Sequence, residues 1–157
     1  MSPRSRPNPT VYVLLTAIAV TGALVGLVAR DYLFERSARR ITAVRFPGGQ
    51  VEVDVAVTDT ERRAGLAGRT GLPPDTGLLF VYRDTAPRLF TMEGMLIDLD
   101  IISLGADGTV TGVQTRPAGG PPLPTAPARY VLEVASGWAA SHGVTVGTRA
   151  GIVRGDR

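Results

Sequence analysis

Nineteen consecutive residues, 11–29, read VYVLLTAIAVTGALVGLVA and carry no charge. As a helix this run spans about 28 Å, close to the hydrocarbon thickness of a bilayer. No other feature constrains the chain as much, because a backbone in lipid must satisfy its own hydrogen bonds. We therefore expect one transmembrane helix over 11–29, a short tail over 1–10 and a charged tether over 30–40. Thr16 and Thr21 are tolerable within the helix, since each hydroxyl can bond to the preceding turn. Tyr12 and Tyr32 suit the two interfacial belts. Gly22 and Gly26 form a small-xxx-small pair, a pattern that ordinary membrane-helix composition also produces.

A cleaved signal peptide is the competing reading. Its apolar core normally runs 7–15 residues and leads to a small-x-small cleavage site. Here the run is longer, and Arg30-Asp31-Tyr32 follows it. An uncleaved anchor is the expectation, and without Cys it cannot be a lipid-modified one. Orientation draws on opposing signals. Two Arg precede the run and four follow, which by the positive-inside rule places the C-terminal part in the cytoplasm. The short basic start instead resembles a signal anchor, and on that ground we expect the domain outside.

Charge divides unevenly along the chain. Residues 1–40 carry a net +4 and residues 41–157 a net −1. The basic balance thus belongs to the membrane-flanking segment, and the soluble part lacks the basic stripe that nucleic-acid binding requires. Disulfides, thiolate nucleophiles and the common structural zinc sites are excluded by the lack of Cys.

Beyond the tether, Ile41–Phe46 and the Val51, Val53, Val55, Val57 alternation frame Pro47-Gly48-Gly49-Gln50 as a hairpin, with Glu52 and Asp54 on the wet face. Thr58-Asp59-Thr60-Glu61 is a capping-box sequence opening a helix to about Leu66. We expect Arg62 and Arg63 to be exposed there, and Ala64 and Leu66 to turn inward. A Pro-Gly loop over 71–77 precedes strands expected at 78–82, 88–92 and 96–104. Gly105-Ala106-Asp107-Gly108 turns the chain into a return strand over 109–115. Residues 116–128 hold five Pro and two Gly and read as a long irregular loop. A strand over 129–135, a short helix capped by Ser136 and ending before Gly143, and a closing strand over 149–153 complete the series. Many short strands with two short helices predict a compact, mainly β sandwich or barrel-like domain over 41–157.

The chemistry on offer is sparse. His142 is the only histidine, and at the end of a short helix it meets the negative end of the helix dipole. Asp98 and Asp100 stand two apart in a strand, which predicts a shared face with Ile97, Leu99 and Ile101 turned to the core. Such a pair suits a hard cation or a shared proton, and equally an ordinary solvated strand face. Arg69 suits a carboxylate clamp, on Asp100 or on a ligand. Trp138, Met92 and Met95 read as packing residues, and Glu133 falls on the face opposite Leu132. Neither a phosphate loop nor a dinucleotide fingerprint nor a metal-spaced His set is present, so no cofactor or metal is expected.

Several stretches nonetheless resemble one family. Val57 through Arg69, then Leu72-Pro73 and Gly77-Leu78-Leu79-Phe80-Val81-Tyr82, are similar to the opening half of the domain of unknown function 192 family. Leu99-Asp100-Ile101-Ile102 with Ala106-Asp107-Gly108, and Pro127 through Val134 with Gly137 to Gly147, continue the likeness over 41–153. The resemblance implies a compact β domain, often secreted or membrane-anchored, with no agreed activity. The family's middle motif reads Phe-Trp-Met-Lys-Asn-Thr, then a Pro two residues before the Asp of Leu-Asp. Here Phe90, Met92 and Asp100 match, whereas Thr91, Glu93, Gly94 and Asp98 depart. If the motif lines a pocket, this one has lost a stacking surface and an amide and has inverted a charge.

Three functional readings follow. The first is a non-catalytic, membrane-tethered binding or accessory module for a small molecule or protein, with Arg69, Phe90, Met92, Glu93, Asp98 and Asp100 as its candidate surface. The others are a hydrolase or metal-dependent enzyme using Asp98 and Asp100, and a structural envelope protein without a ligand.

Overall fold

The computed structural model describes residues 9–155. Two compact units make up the chain, 1–36 and 37–157. Of the tail expected over residues 1–10, residues 1–8 lie outside what is described, as does the side chain of Tyr12, and residues 9–10 belong to the first helix.

Helix α1 runs Pro9–Ala38. It therefore extends through most of the expected tether, since residues 30–38 contain neither Gly nor Pro and include good helix formers such as Leu33, Glu35 and Arg36. The segment Thr16–Ala38 is long and apolar enough to cross a membrane, as an anchor or a signal sequence would be. Thr16 donates to the Val13 carbonyl at 3.0 Å and Thr21 to that of Ala17 at 2.9 Å, so neither hydroxyl is left unpaired in an apolar helix.

The second unit is mainly β. Its strands are β1 (Ile41–Phe46), β2 (Gly49–Ala56), β3 (Thr76–Ala86), β4 (Leu89–Phe90), β5 (Leu99–Leu104), β6 (Val110–Arg116), β7 (Leu123–Pro124), β8 (Ala128–Ala135) and β9 (Gly151–Arg154). Seven form one sheet in the order β6-β5-β8-β3-β2-β1-β9, while β4 and β7 pair separately. Only β2 and β3 run parallel, joined across the short helix α2 (Asp59–Ala64). The sheet curls until its edges touch. Just before β6 and β9, Thr109 bridges Arg149, and the Val110 amide donates to the Thr148 carbonyl at 2.8 Å. The closing strand read from the sequence is present, shifted to Gly151–Arg154 and paired with β1, and the closure itself is made by the residues just before it. This is a barrel-like closure, one of the two architectures the strand pattern predicted.

Both faces of the central strands are covered. Within the curl, register-opposed Leu79, Leu132 and Ile102 are fully buried. On the outer face a second cluster joins Leu78, Phe80, Ile101 and Val131 to Leu66, Phe90, Met92 and Met95. Strand β5 is buried at every position, which corrects the expectation of a wet face for Asp100, whereas Asp98, just before the strand, is exposed.

Several local expectations hold, and several need correction. The capping box is present: Thr58 Oγ1 accepts from the Glu61 amide at 3.3 Å, and Glu61 accepts from the Thr58 amide at 2.9 Å. The helix stops at Ala64, because Gly65 takes a positive φ of 49°. Leu66 is buried as expected, but Ala64 is exposed and Arg62 half-buried. Expected strands 88–92 and 96–104 shorten to β4 and β5, since a turn closed by the Met95 amide on the Met92 carbonyl lies between them. The 116–128 loop holds β7, pinned by the buried Arg116, whose Nη1 donates to the Phe90 carbonyl at 3.2 Å and Nη2 to that of Leu123 at 3.1 Å. The last helix, α3, spans Trp138–Ser141, and its N-cap is Gly137 at φ 87°, not Ser136.

Candidate functional site

Glycine supplies no side chain to cap α3, so the cap comes from a distant strand. Asp100 Oδ2 accepts from the Ala139 amide at 2.9 Å, and its Oδ1 accepts from Thr115 Oγ1 at 2.7 Å. Buried in this way, Asp100 ties β5 to β6 and to α3. Asp98 is exposed and holds the Ala118 amide at 2.8 Å, on the long loop. The two carboxyls thus have separate partners. Arg69 stands apart from both: its nearest acid is Asp54 at 3.5 Å, beside a broad shallow depression over β1 and β2. Met92 is fully buried in the outer cluster. Among the described residues no group of three His, Asp or Glu side chains is placed to hold a metal ion.

His142 sits at the C-terminal end of α3, stacked on Trp138 at 4.1 Å between ring centroids. Its Nδ1 lies 3.1 Å from Ser141 Oγ and its Nε2 lies 3.8 Å from Asp75 Oδ1, which superficially suggests a nucleophilic triad. The same Nδ1 is 2.8 Å from the Trp138 carbonyl, an acceptor only, so that nitrogen carries the hydrogen and cannot take the Ser141 proton. The Ser141 hydroxyl also donates to that carbonyl, at 2.9 Å. These contacts form a helix terminus.

The remaining two sequence candidates, Phe90 and Glu93, come together at a cavity of about 470 Å³ between α2, β3 and the segment after β4. Phe80, Phe90 and Met95 give it apolar walls, with the two phenyl rings edge to face at 4.9 Å. Arg62, Arg63 and Asp59 come from α2, and Thr91 and Glu93 from the segment that departs from the family motif. Thr91 Oγ1 accepts from the Glu93 amide at 3.1 Å, so the divergent residues build their own tight turn at the rim.

Glu133, from the middle of β8, also lines this cavity. It is 1% exposed, and its Oε2 has no hydrogen-bond partner. Register opposes it to Leu78 and Ile101, so its side chain shares the apolar outer face. Burial pushes its carboxyl up to about 8, against the opposing influence of the Arg116 charge. Burial in turn lowers Arg116 from its ordinary value, and Glu133 offsets part of that. Tyr82 lines the cavity too, and the guanidinium groups of Arg62 at 5.0 Å and Arg88 at 4.1 Å both lie against its ring. Its phenol is raised, first by burial. Arg62 is held by the Val57 carbonyl, by the Val81 carbonyl at 3.0 Å and by Asp59 at 2.6 Å.

Glu133, Tyr82, Arg62 and Arg116 were not among the sequence candidates. One signal for Glu133 was available: a lone acid inside Tyr130-Val131-Leu132-Glu133-Val134, a run too apolar for a strand with a wet face.

Residues 42–152 match the model of the domain of unknown function 192 family, described as "Uncharacterized ACR". The chain belongs to this family. Two solved structures are similar to it. One is a candidate transcription regulator from Sinorhizobium meliloti 1021, 28% identical with a TM-score of 0.64, covering 70% of this chain and 90% of its own. The other is a protein of unknown function from Novosphingobium aromaticivorans DSM 12444, 32% identical with a TM-score of 0.61, covering 69% of this chain and 81% of its own. No curated protein matches the chain significantly. In family terms, the stretch that departs from the DUF192 middle motif is the stretch that supplies Thr91 and Glu93 to the cavity.

Proposed function

We propose that this DUF192 protein is a single-pass, membrane-anchored binding or accessory module of the cell envelope, non-catalytic, with its β domain outside the cytoplasm. We further propose that it binds a small molecule in the cavity floored by Glu133. One observation carries the binding reading: a buried carboxyl with an unpartnered oxygen lines an apolar-walled cavity. A buried polar group without a partner is destabilising by about 1–3 kcal/mol, and a ligand that satisfies it recovers that loss. The cavity volume is that of a small-molecule site. Support for the anchor comes from α1, whose Thr16–Ala38 segment has the length and composition to span a bilayer.

The test uses the full chain purified from membranes in detergent. Small molecules that raise its thermal midpoint should lose that effect in the Glu133→Leu variant. Shifts that persist in that variant place binding elsewhere and overturn the cavity reading. Reporters active on only one side of the membrane, fused after Arg157, should signal outside. A cytoplasmic signal overturns the orientation, and an intact mass lacking residues 11–29 overturns the anchor.

A further inference from the structure

We infer that the cavity takes a small ring-bearing molecule whose carbonyl or phenol-type oxygen accepts a hydrogen bond from Glu133. This rests on the reading that the cavity binds a ligand, and it adds the ligand's chemistry. The charged groups around Glu133 come from several elements: Asp59, Arg62 and Arg63 of α2 and Glu93 of the segment after β4 line the cavity with Tyr82 of β3, and Arg116 of β6 acts on Glu133 from outside the lining. The two cations and two anions of the lining balance, and Arg116 adds positive charge beside Glu133. A cationic ligand therefore gains no net attraction from the lining, and a neutral molecule with an acceptor oxygen loses nothing there.

A carboxyl stripped of water keeps its proton at neutral pH, and as an acid it has a hydrogen to donate. The Oε2 atom is unpartnered, so no described residue takes that hydrogen there. Tyr82 offers a second neutral O–H donor, also disfavoured from ionising by its burial. An un-ionised carboxylic acid at an apolar wall suits a carbonyl or phenolate oxygen, which accepts its hydrogen, and the Tyr82 hydroxyl is a further donor among the lining residues. Phe80, Phe90 and Met95 supply aromatic and thioether surface for a ring.

Acetophenone is the probe, with benzylamine as the cationic counterpart and ethylbenzene as the oxygen-free one. Binding to the full chain in detergent is followed by ligand-detected NMR, each variant serving as its own control for micelle partition. Acetophenone should bind with constant affinity from pH 5 to 7.5. Above about pH 8 its affinity should fall about tenfold per unit, as the donor is titrated away. Glu133→Gln keeps an N–H donor and should retain binding while losing the alkaline fall, and Glu133→Leu should weaken it at least tenfold. Preferential binding of benzylamine, lost in Glu133→Leu, overturns the ligand class and leaves the cavity standing. Ethylbenzene binding as well as acetophenone also overturns it. Binding of all three independent of residue 133, or of none, overturns the cavity reading with it.

Discussion

Asp100 and Glu133 are both 1% exposed and sit on adjacent strands of one sheet, one register position apart and so on opposite faces. Under α3, Asp100 accepts two hydrogen bonds, from Thr115 and Ala139. Under α2, Glu133 leaves an oxygen unpartnered beside a cavity. The same chemical group at the same depth therefore does two different things. On the α3 face it replaces a missing N-cap and fastens three elements together. On the α2 face it is a polar group without a protein partner, the kind of exception in a native structure that calls for an explanation beyond folding. Burial alone does not distinguish a structural acid from a functional one; the count of satisfied atoms does.

The strongest break of this comparison is pH. Folded, Glu133 keeps its proton up to about pH 8, against 4.5 for a solvated glutamate. Across that window the folded chain binds more protons than the unfolded chain, so stability falls as pH rises through it and levels off above. The loss should total about 5 kcal/mol, read from denaturant midpoints followed by the fluorescence of Trp138, the only tryptophan. Glu133→Gln should flatten the curve; a variant that keeps the slope would assign it to another group. Next in size is Asp100→Ala, which orphans the Ala139 amide and the Thr115 hydroxyl and should cost about 3 kcal/mol. Asp100→Asn keeps an acceptor and should cost about 1 kcal/mol. If Asp100→Ala proves milder than Glu133→Ala at pH 7, the contrast between satisfied and unsatisfied faces fails.

A smaller effect comes from a third carboxyl, this time at the surface. Glu61 accepts from the Thr58 and Val57 amides and pairs with Arg39 at 2.9 Å, and these bonds, led by that of Thr58, hold it down to about 2. Its contribution is present above pH 4.5 and is lost as pH falls toward 2, a window that does not overlap that of Glu133. Thr58→Ala should remove about 1 kcal/mol at neutral pH, checked by the same unfolding midpoint.

What the sequence made legible was local. The β1–β2 hairpin, the capping box and the Asp107 turn each depend on residues within a few positions of one another and formed as read, while the uncharged run is helical as expected but its helix extends at both ends, to Pro9 and Ala38. The misreadings share one cause, which is coverage from the other side of the sheet. Alternation put Asp98 and Asp100 on one shared face and left Glu133 only opposite Leu132. Asp98 is exposed while Asp100 and Glu133 are buried, because β5 and β8 lie inside the sheet with packed layers on both sides. Whether a second layer exists depends on where Leu66, Phe90 and Met92 come to rest, and these are distant in sequence from the strands they cover. Of the six candidate residues, Phe90 and Glu93 line the cavity because a turn from Met92 to Met95 swings that segment over the outer face. Nothing local to Arg69 could reveal that Asp54, not Asp100, would be its neighbour.

The finest test separates the two arginines that share Tyr82. Arg62 lines the cavity and donates to two carbonyls and Asp59, whereas Arg88 lies 4.1 Å from the ring centroid and pairs with Asp84 at 2.7 Å. Arg88 does not line the cavity, so Arg88→Gln should lose only the ring contact and an exposed ion pair, about 0.5 kcal/mol of stability. Acetophenone affinity should stay unchanged in that variant. Tyr82→Phe reverses the pattern: the ring and its stacking survive, stability shifts by less than about 0.5 kcal/mol, and acetophenone affinity falls several-fold because one donor is gone. If Tyr82→Phe binds as well as the native chain, Glu133 acts alone at the floor and Tyr82 is only a wall.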